Sequence, residues 1–174
     1  MDNTLIYDLT AVQMGRMLTA LGTWLEKAEQ HATAKKVDPV DAFMDQRLIV
    51  DQYSLIEQIQ SACDSAKFAS ARLTGKEPPK HPDTEKTFAE AKARVKSVVT
   101  YLNTFNADDF KGAFERKITQ PWMEGKYLSG GDYLRSLIIP NFYFHLTTAY
   151  AIMRANGVDI GKGDYLGELN WKSL

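Results

Sequence analysis

The chain has 174 residues, 44% of them hydrophobic and 25% charged, with a formal net charge of −1. That length suffices for one ordinary domain with a sizeable core, in a composition normal for a globular protein. The lack of basic excess excludes the usual basis for nucleic-acid binding, and the lone Cys63 excludes an intrachain disulfide.

The first helix is expected over residues 5–34. Leu9, Met14, Met17, Leu21, Trp24, Leu25 and Ala28 recur at spacings near three and four, which puts them on one face, while Gly15 and Gly22 weaken it slightly. Asp38-Pro39 then reads as an N-cap followed by proline at the first helical position, predicting a short helix to about Asp45. A second long helix follows Asp51, taken as its N-cap, with Ile56, Ile59, Cys63, Ala66, Ala69 and Leu73 as the buried stripe. Gly75 ends it, Pro78-Pro79 bars continuation, and residues 75–82 form a polar linker.

Thr87 and Glu90 fit a capping box that opens the third helix, whose apolar positions are Phe88, Ala91, Val95, Val98, Leu102 and Phe105. Residues 113–128 break the helical period. Phe114, Arg116, Ile118 and Gln120 alternate, and Glu124-Gly125 provides a turn, so a short hairpin is expected. The last helix runs over residues 131–155 and ends at Asn156-Gly157. Pro140 inside it removes a backbone donor and predicts a kink or a local bulge. Residues 158–174 read as an extended tail packed on the body through Tyr165, Leu166 and Trp171.

Four long helices with long connections predict an all-α fold, a four-helix bundle in one domain over 1–174, with a hairpin-like insertion before the last helix. No apolar run approaches the roughly 18 residues of a membrane span; the longest, Leu137 to Tyr143, contains Pro140 and Asn141. Met1-Asp2-Asn3 lacks the basic and apolar regions of a signal peptide. A cytoplasmic protein with no membrane partner is expected.

Chemistry concentrates on the last helix. Asn141, His145 and Thr148 are spaced four and three apart and share a face with Leu134, Ile138, Ala149 and Ile152, so polar groups aim inward. Burying them costs roughly 1–3 kcal/mol each unless they are hydrogen-bonded. Two readings stand: a satisfied core histidine with Asn141 closing the bond that Pro140 frees, or an interhelical pocket with His145 as polar anchor or base. The second helix offers two lines of partners, Gln58-Ser61-Ser65 and Gln60-Asp64, either of which faces His145 depending on helix rotation. Asp64 is a solvated residue in one reading and orients the imidazole in the other. Cys63, on the apolar stripe without a basic neighbour, reads as an inert packed thiol. His31 suits a helix C-terminus, and His81 in the proline-rich linker reads as solvated; neither has metal-ligand spacing to His145.

The run Pro140-Asn141-Phe142-Tyr143-Phe144-His145, continuing through Ala149-Tyr150-Ala151-Ile152, Asn156-Gly157-Val158 and Ile160-Gly161-Lys162, resembles the DUF1993 family. So do Gln60-Ser61-Ala62-Cys63-Asp64 and Ala71-Arg72-Leu73 with Gly75 and Pro78-Pro79-Lys80. That family is similar to the DinB/YfiT-like superfamily of proposed metalloenzymes, and the resemblance implies an up-down-down-up four-helix bundle that forms homodimers. Metal-binding members of the superfamily carry one histidine on helix 2 and two, four apart, on the last helix. His145 matches one of the last-helix sites, but Ala149 stands four residues on and the helix 2 region holds Gln58 and Gln60. A metal-free protein without cofactor is therefore expected, with a small-molecule pocket lined by His145, Asn141, Thr148, Gln58, Gln60 and Asp64, or a dimeric scaffold role. The superfamily's thiol-dependent S-transferases and its metal-dependent enzymes supply the alternatives, with His145 as base or thiol-activating group.

Overall fold

The computed structural model describes residues 2–173; Met1 and Leu174, the outer ends of the N-terminal and tail readings, lie outside them. The first long helical stretch comprises α1 (Asn3–Tyr7), a π-helical segment (Asp8–Val12) and α2 (Gln13–Lys35). The Asp2 carboxylate caps its start by accepting from the Thr4 amide. Within the π segment the buried Thr10 hydroxyl donates to the Ile6 carbonyl at 2.7 Å, a local helix bond that satisfies it. A second π-helical segment, Val40–Met44, stands where the short helix was expected, with Asp38 accepting from the Val40 amide.

Helix α3 (Leu55–Thr74) starts three residues later than expected. Its N-cap is Ser54, not Asp51, because Ser54 is followed at the third helical position by Glu57, whose carboxylate accepts from both the Ser54 amide and hydroxyl at 2.7 Å. A cap at Asp51 would place Ser54 at that position, where it has no carboxylate to return. Of the expected stripe only Ile56 is half-buried, and Leu55 beside it is fully buried. Helix α4 (Phe88–Leu102) begins as expected, with Thr87 and Glu90 exchanging bonds at 3.2 and 3.0 Å.

The hairpin is present: β1 (Lys117–Ile118) pairs antiparallel with β2 (Leu128–Ser129), in the register Ile118 to Leu128. The chain then passes straight into α5 (Gly130–Asp132), a π-helical segment (Tyr133–Ile138) and α6 (Ile139–Ala155). Proline at 140 donates no bond and crowds the carbonyl one turn back; the widened segment just before it is the local bulge that relieves both. Two glycines fix the join. A Cβ at Gly130 would lie 1.8 Å from the Ala113 carbonyl oxygen, and one at Gly131 2.6 Å from the Phe114 ring.

Helix α3 packs on α6 and α4, and α2 packs on α4 and α6. Met14, Leu18, Leu21 and Leu25 of α2 meet Ile59, Ala62 and Ala66 of α3, Val95 and Val98 of α4, and Phe142, Leu146 and Ile152 of α6 in one core. The tail departs from the extended expectation. Residues Lys162–Leu166 form a short helix, α7, because Asp164 caps it through the Gly161 amide and pairs with Lys27. Tyr165 stacks on Trp24 with ring centroids 5.5 Å apart, whereas Trp171 is 83% exposed and does not pack. Among the described residues no helix is long and apolar enough to cross a membrane.

Candidate functional site

The line of α3 that carries Gln58 and Ser65 turns toward α6. Gln58 is fully buried, and its side-chain amide has two partners: the NH2 group donates to the Tyr53 carbonyl at 3.3 Å, and Oε1 lies 2.7 Å from Nδ1 of His145. A carbonyl accepts only, so the Tyr53 oxygen fixes which way the amide points. The amide oxygen then faces the imidazole, and Nδ1 must carry the proton. Burial holds the imidazole below the ordinary histidine value, so at neutral pH the ring is uncharged and its Nε2 keeps a free lone pair. Nε2 makes no hydrogen bond to another described residue. Tyr53 lies nearly parallel to the imidazole at 6.1 Å and Phe144 stands edge-on at 5.2 Å, walling the ring in position.

One turn earlier on α6 the same logic repeats. The Ser65 hydroxyl donates to the Ser61 carbonyl at 2.8 Å and accepts from the Asn141 amide nitrogen at 2.8 Å. Oδ1 of Asn141 is thereby left unspent. His145 and Asn141, four residues apart on one face, present two acceptors side by side. Thr148 does not join them: it is buried and its hydroxyl donates back to the Phe144 carbonyl at 2.7 Å, a local helix bond.

Asp64 neither orients the histidine nor stands free in solvent. It binds Lys67 at 2.7 Å and Arg94 at 2.6 Å, on the side of α3 that faces α4. The Arg94 side chain is 1% exposed and also reaches Asp83 and Glu85 from the linker before α4, while Gln60 donates to Glu85 at 2.9 Å. Burial works against this guanidinium's charge, yet the carboxylates of Asp64, Glu85 and Asp83 outweigh it and hold its pKa above the ordinary arginine value. His81 is correspondingly not solvated. Its ring bridges Lys67 at 3.3 Å and Ser97 at 3.1 Å, and burial followed by the nearby Lys67 and Arg94 charges keeps it below the ordinary histidine value. Cys63 is fully buried, which pushes its thiol up to about 12 and leaves no thiolate to react.

Sequence reasoning missed Arg94, although a signal existed. Position 94 falls three after Ala91 and four before Val98, on the apolar stripe of α4, where a charge must find buried partners. Tyr53 and Trp122 were missed because loops bring them to the site, whereas Arg72 continues the Gln58-Ser61-Ser65 line of α3 at helical spacing, a signal that was present in the sequence.

These elements enclose a cleft of about 560 Å³ between α3 and the last helix. Gln60, Asp64, Asn141 and His145 line it, with Tyr53, Phe68, Trp122 and Tyr133 as aromatic walls, while Gln58 stands behind the imidazole and Thr148 lies away from it. The donors do not fit the three-histidine metal site of the superfamily. Ala149 is fully buried in the apolar core, Gln58 spends both ends of its amide, and among the described residues no three His, Cys, Asp or Glu side chains converge as ligands would.

The chain is thus largely helical, with a short antiparallel hairpin before its last helix and a polar cleft beside that helix. The structure superposes on the crystal structure of a DinB family member protein from Shewanella denitrificans with a TM-score of 0.95 and 48% sequence identity, over 99% of this chain and 97% of that one. The model of the family described as Domain of unknown function (DUF1993) matches residues 6–166, and the chain belongs to that family. No curated protein matches it.

Proposed function

We propose that this protein binds a small molecule in the cleft between α3 and the last helix, with Nε2 of His145 and Oδ1 of Asn141 as paired acceptors for the ligand's hydroxyl or amino hydrogens. The observation that carries this reading is the spent Nδ1 of His145: the bond to Gln58 commits one ring nitrogen and turns the other, uncharged and unpartnered, to an open space. A histidine that merely filled the core would have both nitrogens satisfied or the space around it closed. The arrangement needs no metal. It suits a reading of the four long helical stretches as an up-down-down-up bundle in one domain.

The test is a thermal-shift screen of hydroxylated and amino-bearing small molecules, repeated on His145→Ala and Asn141→Ala. A ligand at about a hundredfold its Kd stabilises a folded protein by roughly 2.7 kcal/mol, so a rise of several degrees is expected for the native chain and little or none for either variant. A compound that shifts all three proteins equally binds elsewhere.

A second reading rests on the same uncharged Nε2. A neutral imidazole is a competent general base near neutral pH, and a hydroxyl or thiol donated to it would be poised for deprotonation, as an S-transferase requires. Assays with thiol cosubstrates decide it: equal rates for the native protein and His145→Ala would remove His145 from any such chemistry. We also place the protein in the cytoplasm as a homodimer. Leu48, Ile49, Val50, Tyr53 and Phe144 are half or more exposed, an apolar surface that association would cover. A monomer mass by sedimentation at micromolar concentration would remove the dimer.

A further inference from the structure

We propose that the cleft's ligand carries an anionic group, a carboxylate in the simplest case, seated on Arg72 at the end opposite His145; this assignment rests on the reading of the cleft as a ligand site. Arg72 lines the cleft, and among the described residues it has no carboxylate partner. Its side chain is nevertheless held in place. The guanidinium lies over the Phe68 ring at 4.3 Å from the centroid, and one of its nitrogens donates to the Tyr133 hydroxyl at 3.1 Å. That hydroxyl spends its own proton on the Phe68 carbonyl at 3.4 Å, so its lone pair faces the arginine. Tyr133 is itself fully buried in the π-helical segment that Pro140 requires, which ties the placement of this cation to the fold of the last helix.

A planar cation stacked on an aromatic face and pinned by one nitrogen keeps its remaining donors for a ligand, with little freedom left to lose on binding. The cleft's acidic residues do not cancel it. Asp64 is paired with Lys67 and Arg94, Asp83 with Arg94, and Glu57 with the Ser54 cap and Arg47. Each of these carboxylates is engaged, whereas the arginine's charge is not.

The geometry also sets a length. His145 meets α3 at Gln58, and Arg72 folds back to the level of Phe68, ten residues on, or about 15 Å along the helix axis. A molecule bridging both ends is elongated, with hydroxyl or amino donors at the His145 and Asn141 end, a carboxylate at the Arg72 end, and an apolar or aromatic body against Leu137, Ile138 and Trp122 between them.

Calorimetric titration with a homologous series of hydroxyaryl alkanoic acids, each compared with its uncharged primary amide, tests this. The longer acids are expected to bind on the order of tenfold more tightly than their amides, the difference a charge-assisted bond makes over a neutral one. Arg72→Gln should bring each pair to within about twofold, and Arg72→Lys, which keeps the charge without the fork, should retain part of the preference. Equal binding of acid and amide by the native protein, or a preference that survives Arg72→Gln, overturns the assignment while leaving the cleft a ligand site. If neither member of any pair binds at millimolar concentration, the cleft reading fails and the assignment with it.

Discussion

At the scale of single residues, one fully buried glutamine sets a histidine's tautomer. Gln58 satisfies the Tyr53 carbonyl and the His145 Nδ1–H at once. Replacing it with alanine orphans both, and the cost of a buried unsatisfied donor is about 1–3 kcal/mol. Urea denaturation of Gln58→Ala is expected to fall in that range, whereas a change below about 0.5 kcal/mol would mean that the bond does not hold in solution. The same histidine sets a pH dependence, joined by His81. Both lie below their ordinary value of 6.5 in the folded protein. Above about pH 6.5 both are neutral in the folded and the unfolded chain, so neither carries a penalty. As pH falls below that point the unfolded chain takes up protons that the folded protein resists, so stability declines toward the folded-state value. Carboxylates held low by bonded partners, among them Glu57 and Glu85, add a separate loss as pH drops through about 4.5. The urea midpoint should therefore fall between about pH 6.5 and 5, and less steeply in His145→Gln; a midpoint that rises over that interval contradicts the assignment. The inward face of Asn141 and His145 was legible from their spacing alone. Which nitrogen of His145 faces the cleft was not, because that depends on a carbonyl in the loop before α3.

At the scale of elements, sequence and structure agree where a local rule suffices. Thr87 and Glu90 opened α4, Asn156-Gly157 closed α6, and Pro140 demanded its bulge. They disagree where a neighbour decides. Asp51 lost the cap to Ser54 because a glutamate lay three positions past the serine, and the tail gained a short helix because Asp164 found Lys27. The join between hairpin and last helix is the tightest of these local constraints, since the space that a side chain at Gly130 would occupy is filled by backbone. Gly130→Ala is expected to cost about 4 kcal/mol or more, in the tail of single-mutation effects, with a matching fall in melting temperature; an unchanged temperature would show that the join yields freely. Arg94 ties a second junction, between α3, α4 and the linker that precedes α4. Removing one member of a buried ion pair costs about 3–5 kcal/mol, and because Asp64 and Asp83 keep 29% and 52% of their side chains exposed the lower end applies here. Arg94→Met measured by urea denaturation should lose about 3 kcal/mol, and a loss below about 1 kcal/mol would contradict the hub.

At the scale of the whole molecule, the helices do two jobs with one packing arrangement. Contacts of α2 with α4 and of α3 with α6 close the core, and along the α3–α6 seam His145 and Asn141 of the proline-bearing last helix bond Gln58 and Ser65 beside the cleft. The largely helical fold was readable from apolar periodicity, and the family from the run around Pro140-Asn141-Phe142-Tyr143-Phe144-His145. The cleft was not readable, since its aromatic walls come from the loop before α3, from α3 itself, from the hairpin and from the π-helical segment. The central claim is that an uncharged imidazole, tethered at one nitrogen by Gln58, offers its other nitrogen to that cleft. Long-range proton–nitrogen correlation spectra of ring-labelled protein, assigned through His145→Gln, test it most directly. The expected result is a protonated Nδ1 and a bare Nε2 at neutral pH, with a midpoint below 6.5. A proton on Nε2, or a ring that is already charged at pH 7, would contradict it.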